Sequence, residues 1–228
     1  MKFTDELRLA TKDSWEKSLH HPFVQGIVKG DLPFDIFKNY ILQDIYYLNH
    51  YAKVHALAAA QADDFAITSM LAETASRTAQ AELGVHEQHA KILNITDEDM
   101  ENFKPAPTAY GYTSHLYRST MHGNLAYVIS AMLPCYWLYA DIGKTYEHAN
   151  PEPEIYRNWL ATYASDWFQK ATQGQIDLLN SLVEDMSEKE KEKVKEQFII
   201  AKEYELAFWE MSYTFEKWLS QCDEKVKL

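Results

Sequence analysis

Three stretches of the chain carry side chains that could do chemistry. In "MLPCYWLYADIG", residues 132–143, Cys135 follows Pro134 inside an apolar run, with Tyr136, Trp137 and Tyr139 around it. A proline in mid-helix gives up the amide that would bond to Ser130 and pushes its ring against that turn, so a kink is expected. Cys135 reads two ways there: a small hydrophobe filling the bend, or a nucleophile held in an aromatic pocket. In "NYILQDIYYLNHY", Tyr40, Asp44, Tyr47 and Tyr51 recur every three or four residues and share one helical stripe. Asp44 either faces water from a helix edge or is buried against the tyrosine hydroxyls. In "AKEYELAFWEMSYTFEKW", Ala201, Glu205, Phe208 and Ser212 share a stripe. Glu205 then either points inward, where desolvation would keep its proton near neutral pH, or pairs with Lys202 at the surface.

A thiol, two carboxyls and several tyrosines on inward stripes would suit a flat, neutral, nitrogen-rich ring. Aromatic faces would sandwich it, and carboxylates would bond its amino group and ring nitrogens. The expected division of labour is a protonated Glu205 on an apolar stripe and an ionised Asp44 among hydroxyls. Other chemistries lack their residues. No acidic residue is followed three positions on by histidine, as helical di-iron sites need, and "HEQH" (His86–His89) lacks the zinc-protease spacing. Phosphate-cradling glycine loops and Gly-x-Ser-x-Gly are absent as well. Neither a metal nor a cofactor is expected, although nine scattered histidines leave haem ligation open.

The elements that must position these residues are helices throughout, because the apolar spacing is helical almost everywhere. The pattern predicts helices over about 4–20, from 30 to 61, 64–93, 107–122, 124–148, 154–163, 165–185 and 187–220. The first stops at "HHPFVQG", where Pro22 disfavours helix in His21. Pro33 suits a first turn, and Ser187 with Glu190 forms a capping box. No fixed-period repeat and no long linker divides the chain, so residues 1–228 are expected to form a single all-α domain. Signs alternate at helical spacing in "SEKEKEKVKEQ", which reads as a solvated helix face.

Composition narrows the function classes. The chain of 228 residues is 46% hydrophobic and 25% charged, with seven glycines and seven prolines, which argues against a sandwich of short strands. A net charge of −12 disfavours nucleic-acid backbones and anionic membranes as partners. No run is read as a membrane span, and the charged, amphipathic N-terminus lacks the features of a signal peptide. Two cysteines, Cys135 and Cys222, make no disulfide framework, so a cytoplasmic location is expected.

The residues resemble the thiaminase II (TenA) family over almost the whole chain. The resemblance rests on Trp15, "HPFV" at 21–24, "QD" with "YL" at 43–48, "LPCYWLY.DIG" and "E..FW" at 205–209. It implies the all-helical haem-oxygenase-like bundle, a homotetramer and no cofactor. It also implies hydrolysis at the pyrimidine methylene of 4-amino-5-aminomethyl-2-methylpyrimidine, and of thiamine, to the hydroxymethylpyrimidine. Carried over by position, Cys135 matches the nucleophile, Glu205 the catalytic acid and Asp44 the residue that binds the pyrimidine amino group and ring edge. Tyr112, Tyr139 and Tyr163 match pocket tyrosines, and Tyr47 an aromatic position close to the thiol where the family tolerates phenylalanine. A hydroxyl at Tyr47 or an amide freed near Pro134 is expected to favour the thiolate. Rival classes are a regulator of secreted-enzyme production and a cofactor-binding bundle relative. The acidic charge, without a basic stripe or a helix-turn-helix, argues against DNA contact.

Overall fold

A computed structural model describes residues 1–222, excepting the side chains of 81–91, so the His86–His89 pair lies outside the described residues. In chain order the helices are α1 Phe3–Ala10, α2 Lys12–Leu19, α3 Pro22–Lys29 and α4 Phe34–Gln61. They continue with α5 Phe65–Leu93, α6 Asp97–Glu101, α7 Pro107–Thr120 and α8 Leu125–Thr145. The last four are α9 Glu154–Ala164, α10 Asp166–Leu182, α11 Glu188–Thr214 and α12 Leu219–Cys222. Among the described residues there is no strand.

Helix α8 lies at the centre, packed by α11, α10, α9, α7, α4 and α2. It is long and apolar enough to cross a membrane by composition, against the reading that no run is. Yet 83% of that window is buried inside the fold. A helix apolar on every side is what the middle of a bundle requires. The helix runs unbroken through Pro134. Near the proline, the Met132 carbonyl accepts a hydrogen bond from Tyr51 Oη at 2.9 Å. One continuous core draws on α1 to α5 and α7 to α11, with Trp15 stacked on Phe198 and Trp209 on Phe23.

Several boundaries differ from the pattern, each for a local reason. The expected first helix divides at Thr11, whose φ of −107° leaves the helical range and whose hydroxyl bonds the Leu7 carbonyl at 2.9 Å. After it, "HPFVQG" is no break but the start of α3. His21 caps it by accepting from the Phe23 amide, and Pro22 takes the first turn, where no amide is needed. Short α6 is fixed by a reciprocal Thr96–Asp99 capping box. Helix α11 begins with the expected Ser187–Glu190 box but stops at Thr214, because Phe215 turns left-handed at φ 54°.

Candidate active site

Four helices and the end of a fifth turn their polar side chains into one interior space. Helix α4 supplies Tyr40, Asp44, Tyr47 and Tyr51 from its single stripe, and α8 supplies Cys135 with Tyr139 one turn on. Helix α11 contributes Glu205 and Phe208, α7 contributes Tyr112, and Tyr163 closes the group from the last turn of α9. Most of these are buried, but Asp44, Cys135 and Tyr163 keep some accessible surface. A thiol and a carboxyl are thus among the partly accessible groups of this cluster.

All seven residues singled out from the sequence meet here: Asp44, Tyr47, Tyr112, Cys135, Tyr139, Tyr163 and Glu205. Tyr112 Oη donates to Glu205 Oε1 at 2.6 Å. On the opposite wall Tyr40 Oη donates to Asp44 Oδ2 at 3.4 Å and lies 3.3 Å from Tyr139 Oη. Ring packing sets the walls: Tyr47 lies 4.8 Å from Tyr112 and 5.8 Å from Phe208 between centroids, and Tyr139 lies 4.7 Å from Tyr163. The last contact depends on Gly143, where any Cβ would run into the backbone of Tyr163 and Ala164. Gln169 Nε2 ties the same junction, donating at 2.9 Å to the carbonyls of both Ala140 and Tyr163.

Electrostatics agrees with the expected rise at Glu205 and departs from expectation at Asp44 and Cys135. Glu205 is pushed up to about 7 by burial, against the Tyr112 hydroxyl and Lys202, which pull it down. Asp44 is also pushed up to about 7, by burial and then by the charge of Glu205, with only Tyr40 opposing. The two carboxyls are therefore not driven apart but form a facing pair in which ionising one disfavours ionising the other. The thiol of Cys135 is pushed up by burial and by Glu205, and Tyr47 and Tyr51 pull it back only in part. The surroundings thus favour the thiol over the thiolate, and Tyr47 Oη itself makes no hydrogen bond at ordinary distance and angle. Lys202, finally, is fully buried rather than at the surface.

The sequence reading missed partners that lie one shell out. Tyr51 was on the right stripe, but its action on the sulfur was not foreseen. Trp159 donates to Tyr40 Oη at 3.4 Å, and Tyr204 stacks on Tyr112 at 5.3 Å, where Gly111 leaves room for its ring. Tyr51's i+4 spacing from Tyr47 was the available signal; Trp159 and Tyr204 offered none. Among the described residues no group of three or more His, Cys, Asp or Glu could hold a metal ion.

Fold and site together define a helical bundle that encloses a thiol and a carboxyl pair in an aromatic cage. The chain belongs to the TENA/THI-4/PQQC family, whose profile matches residues 9–215. It is 45% identical over 227 residues to a Bacillus subtilis strain 168 protein named aminopyrimidine aminohydrolase, covering 100% of this chain and 96% of that one. It is similar in structure to a TenA homologue from P. horikoshii OT3, with a TM-score of 0.87 and 28% identity, covering 94% and 99% of the two chains. A domain with a heme oxygenase-like fold from Shewanella denitrificans OS217 superposes with a TM-score of 0.71. At 17% identity, covering 93% and 92% of the chains, it bears on the fold alone.

Proposed function

We propose that this protein is an aminopyrimidine aminohydrolase of thiamine salvage. Its substrates are 4-amino-5-aminomethyl-2-methylpyrimidine and thiamine, both converted to the hydroxymethylpyrimidine. The observation that carries the reading is the gathering of one thiol and two tyrosine-bonded carboxyls, Tyr112 on Glu205 and Tyr40 on Asp44, within a cage of aromatic rings. The similarity to the B. subtilis aminohydrolase supports the substrate class.

Direct displacement at the methylene is poor, because an amine leaves reluctantly. Covalent catalysis replaces it with easier steps. The Cys135 S–H bond breaks, and sulfur adds to the ring carbon next to the substituted one. The thiol proton passes through the carboxyl pair, with Glu205 delivering it to the ring nitrogen bonded to the attacked carbon. Electron density now held in the ring expels the group on the methylene, the aminomethyl nitrogen leaving from its protonated form as ammonia and the thiazolium as neutral thiazole, and leaves an exocyclic double bond. Water adds to that carbon, the C–S bond breaks, and sulfur recovers its proton as the ring regains aromaticity. The balance for the aminopyrimidine is water in and ammonia out. Tyr139, Tyr163, Tyr47 and Tyr112 wall the ring, and Asp44 pairs with its amino edge. No cofactor enters any step. A cytoplasmic homotetramer is the working form that we propose.

Cys135→Ser tests the mechanism, because it conserves size but supplies a far weaker nucleophile. Ammonia release from the aminopyrimidine should fall by about a thousandfold or more, with binding retained. Cys222→Ser, at an exposed site, should change nothing. Near-normal turnover in Cys135→Ser would end the covalent mechanism, and no turnover by the unaltered protein would end the substrate assignment.

A further inference from the structure

Lys202 sits in α11 one turn before Glu205 and is 0% exposed. A buried ammonium is costly and is normally held by a carboxylate. Here it is not: no ion pair joins Lys202 to any described acid. Instead Nζ donates to the Ser14 carbonyl at 3.1 Å and to Ser18 Oγ at 2.7 Å, both on α2, and lies 5.6 Å from the centre of the Trp15 ring. Two neutral acceptors and a ring face leave the positive charge uncancelled; burial pushes the ammonium down to about 8, so it is charged at neutral pH.

The charged groups around it cannot cancel it either. Arg8 of α1 lies over Trp15 and has its own partner, Asp141 of α8, at 3.6 Å. Glu203 points into water, where its influence is screened. Glu205 is the buried acid on which the ammonium acts. Around Glu205 stand Tyr112 of α7, Asp44, Tyr47 and Tyr51 of α4, and Cys135 and Tyr139 of α8. No cation is among the groups that act on Asp44: burial and the charge of Glu205 push it up, the Tyr40 hydroxyl pulls it down, and Asp44 in turn acts on Cys135 and Tyr139. The pair is therefore asymmetric.

We infer that Lys202 is a positioning residue for proton transfer: its buried ammonium makes Glu205, not Asp44, the ionised member of the carboxyl pair. Glu205 then takes the proton from Cys135 as the S–H bond breaks. It gives that proton to the substrate ring nitrogen as the S–C bond forms, and it ends the step as the carboxylate that began it. This solves a problem the site sets for itself, since burial keeps the thiol protonated and a base must remove that proton. The inference rests on the aminohydrolase reading.

The test is the pH dependence of kcat/KM on 4-amino-5-aminomethyl-2-methylpyrimidine for Lys202→Met and Lys202→Arg. Without the positive charge Glu205 holds its proton to higher pH. The acid limb in Lys202→Met should move up by about one pH unit, with kcat at pH 7 down about tenfold and KM little changed. Activity should return as pH rises. Lys202→Arg, which keeps the charge, should keep the wild-type limb. Should Lys202→Met fold poorly, Ser18→Ala serves: the less supported ammonium gives up its proton earlier, so the limb moves the same way by less. A limb at the wild-type position in Lys202→Met or in Ser18→Ala, whatever the melting temperature, overturns the inference. If the unaltered protein does not turn over the pyrimidine, the aminohydrolase reading fails by itself. The Glu205 carboxyl titration, followed by carbon NMR in Lys202→Met against wild type, then still decides the effect of the charge.

Discussion

At the scale of single residues, the informative group is Asp44, because its protonation state decides how it can meet an aminopyrimidine. The substrate edge offers an amino N–H beside a ring nitrogen that accepts. A neutral carboxyl matches both, accepting with its carbonyl oxygen and donating with its hydroxyl. A carboxylate matches only the first and sets its second oxygen against the nitrogen lone pair. Burial and the charge of Glu205 hold Asp44 near 7, so the matching form dominates below that pH. An asparagine presents the same acceptor and donor as the neutral acid. Asp44→Asn should therefore keep KM within about threefold of wild type near pH 6, whereas Asp44→Leu should lose binding. Above pH 8 the wild-type KM should climb as Asp44 ionises, and that of Asp44→Asn should stay flat. Steady-state kinetics between pH 6 and 9 checks this; a large KM in Asp44→Asn at pH 6 would mean that the ionised form binds.

At the scale of elements, the sequence announces faces better than ends. The stripe Tyr40, Asp44, Tyr47, Tyr51 and the stripe Ala201, Glu205, Phe208, Ser212 were readable, because helical periodicity alone fixes which side chains share a face. The structure turns both to the same interior space. The short helices α3 and α6 were not readable as helices: Pro22 looks like a break until His21 is seen to cap the turn behind it. The place of Lys202 stayed open for a related reason, since nothing in the i−3 spacing says that α2 covers that side of α11. The junction of α8 and α9 illustrates what only three dimensions supply. Gly143 lets the two backbones touch, and that contact sets Tyr163 against Tyr139. Gly143→Ala gives helix propensity a small gain but drives a methyl into backbone that cannot yield. It should lower stability by about 1–3 kcal/mol and reduce kcat/KM by about a hundredfold through the displaced Tyr163. Thermal unfolding and initial rates together check it. A variant as stable as wild type would mean that the two helices separate freely.

At the scale of the whole molecule, the site exacts a cost in stability that depends on pH. Asp44 and Glu205 each sit near 7 in the folded protein against ordinary values of 3.8 and 4.5. Between about pH 4 and 7 the folded chain therefore binds more protons at these positions than the unfolded chain does. Stability falls with rising pH wherever the folded state holds the extra protons. The contribution of the pair is thus fully present below pH 4 and is lost as pH rises through 7. Buried histidines work in the opposite sense. His55, held down to about 3 by burial, binds its proton only when unfolded, so it lowers stability as pH falls below its ordinary 6.5. The bare pH dependence of the melting temperature mixes the two contributions, and a difference measurement separates them. The double variant Asp44→Asn, Glu205→Gln keeps the packing and removes both titrations. Wild type minus variant should show a stability advantage at pH 5 that shrinks steadily towards pH 8, by about 1.4 kcal/mol for each pH unit over which one group stays protonated only in the folded state. Urea unfolding at pH 5, 6, 7 and 8 reads this directly. A difference independent of pH would mean that neither carboxyl is held neutral by the fold. The proton pair that the proposed mechanism uses would then be absent from the resting protein.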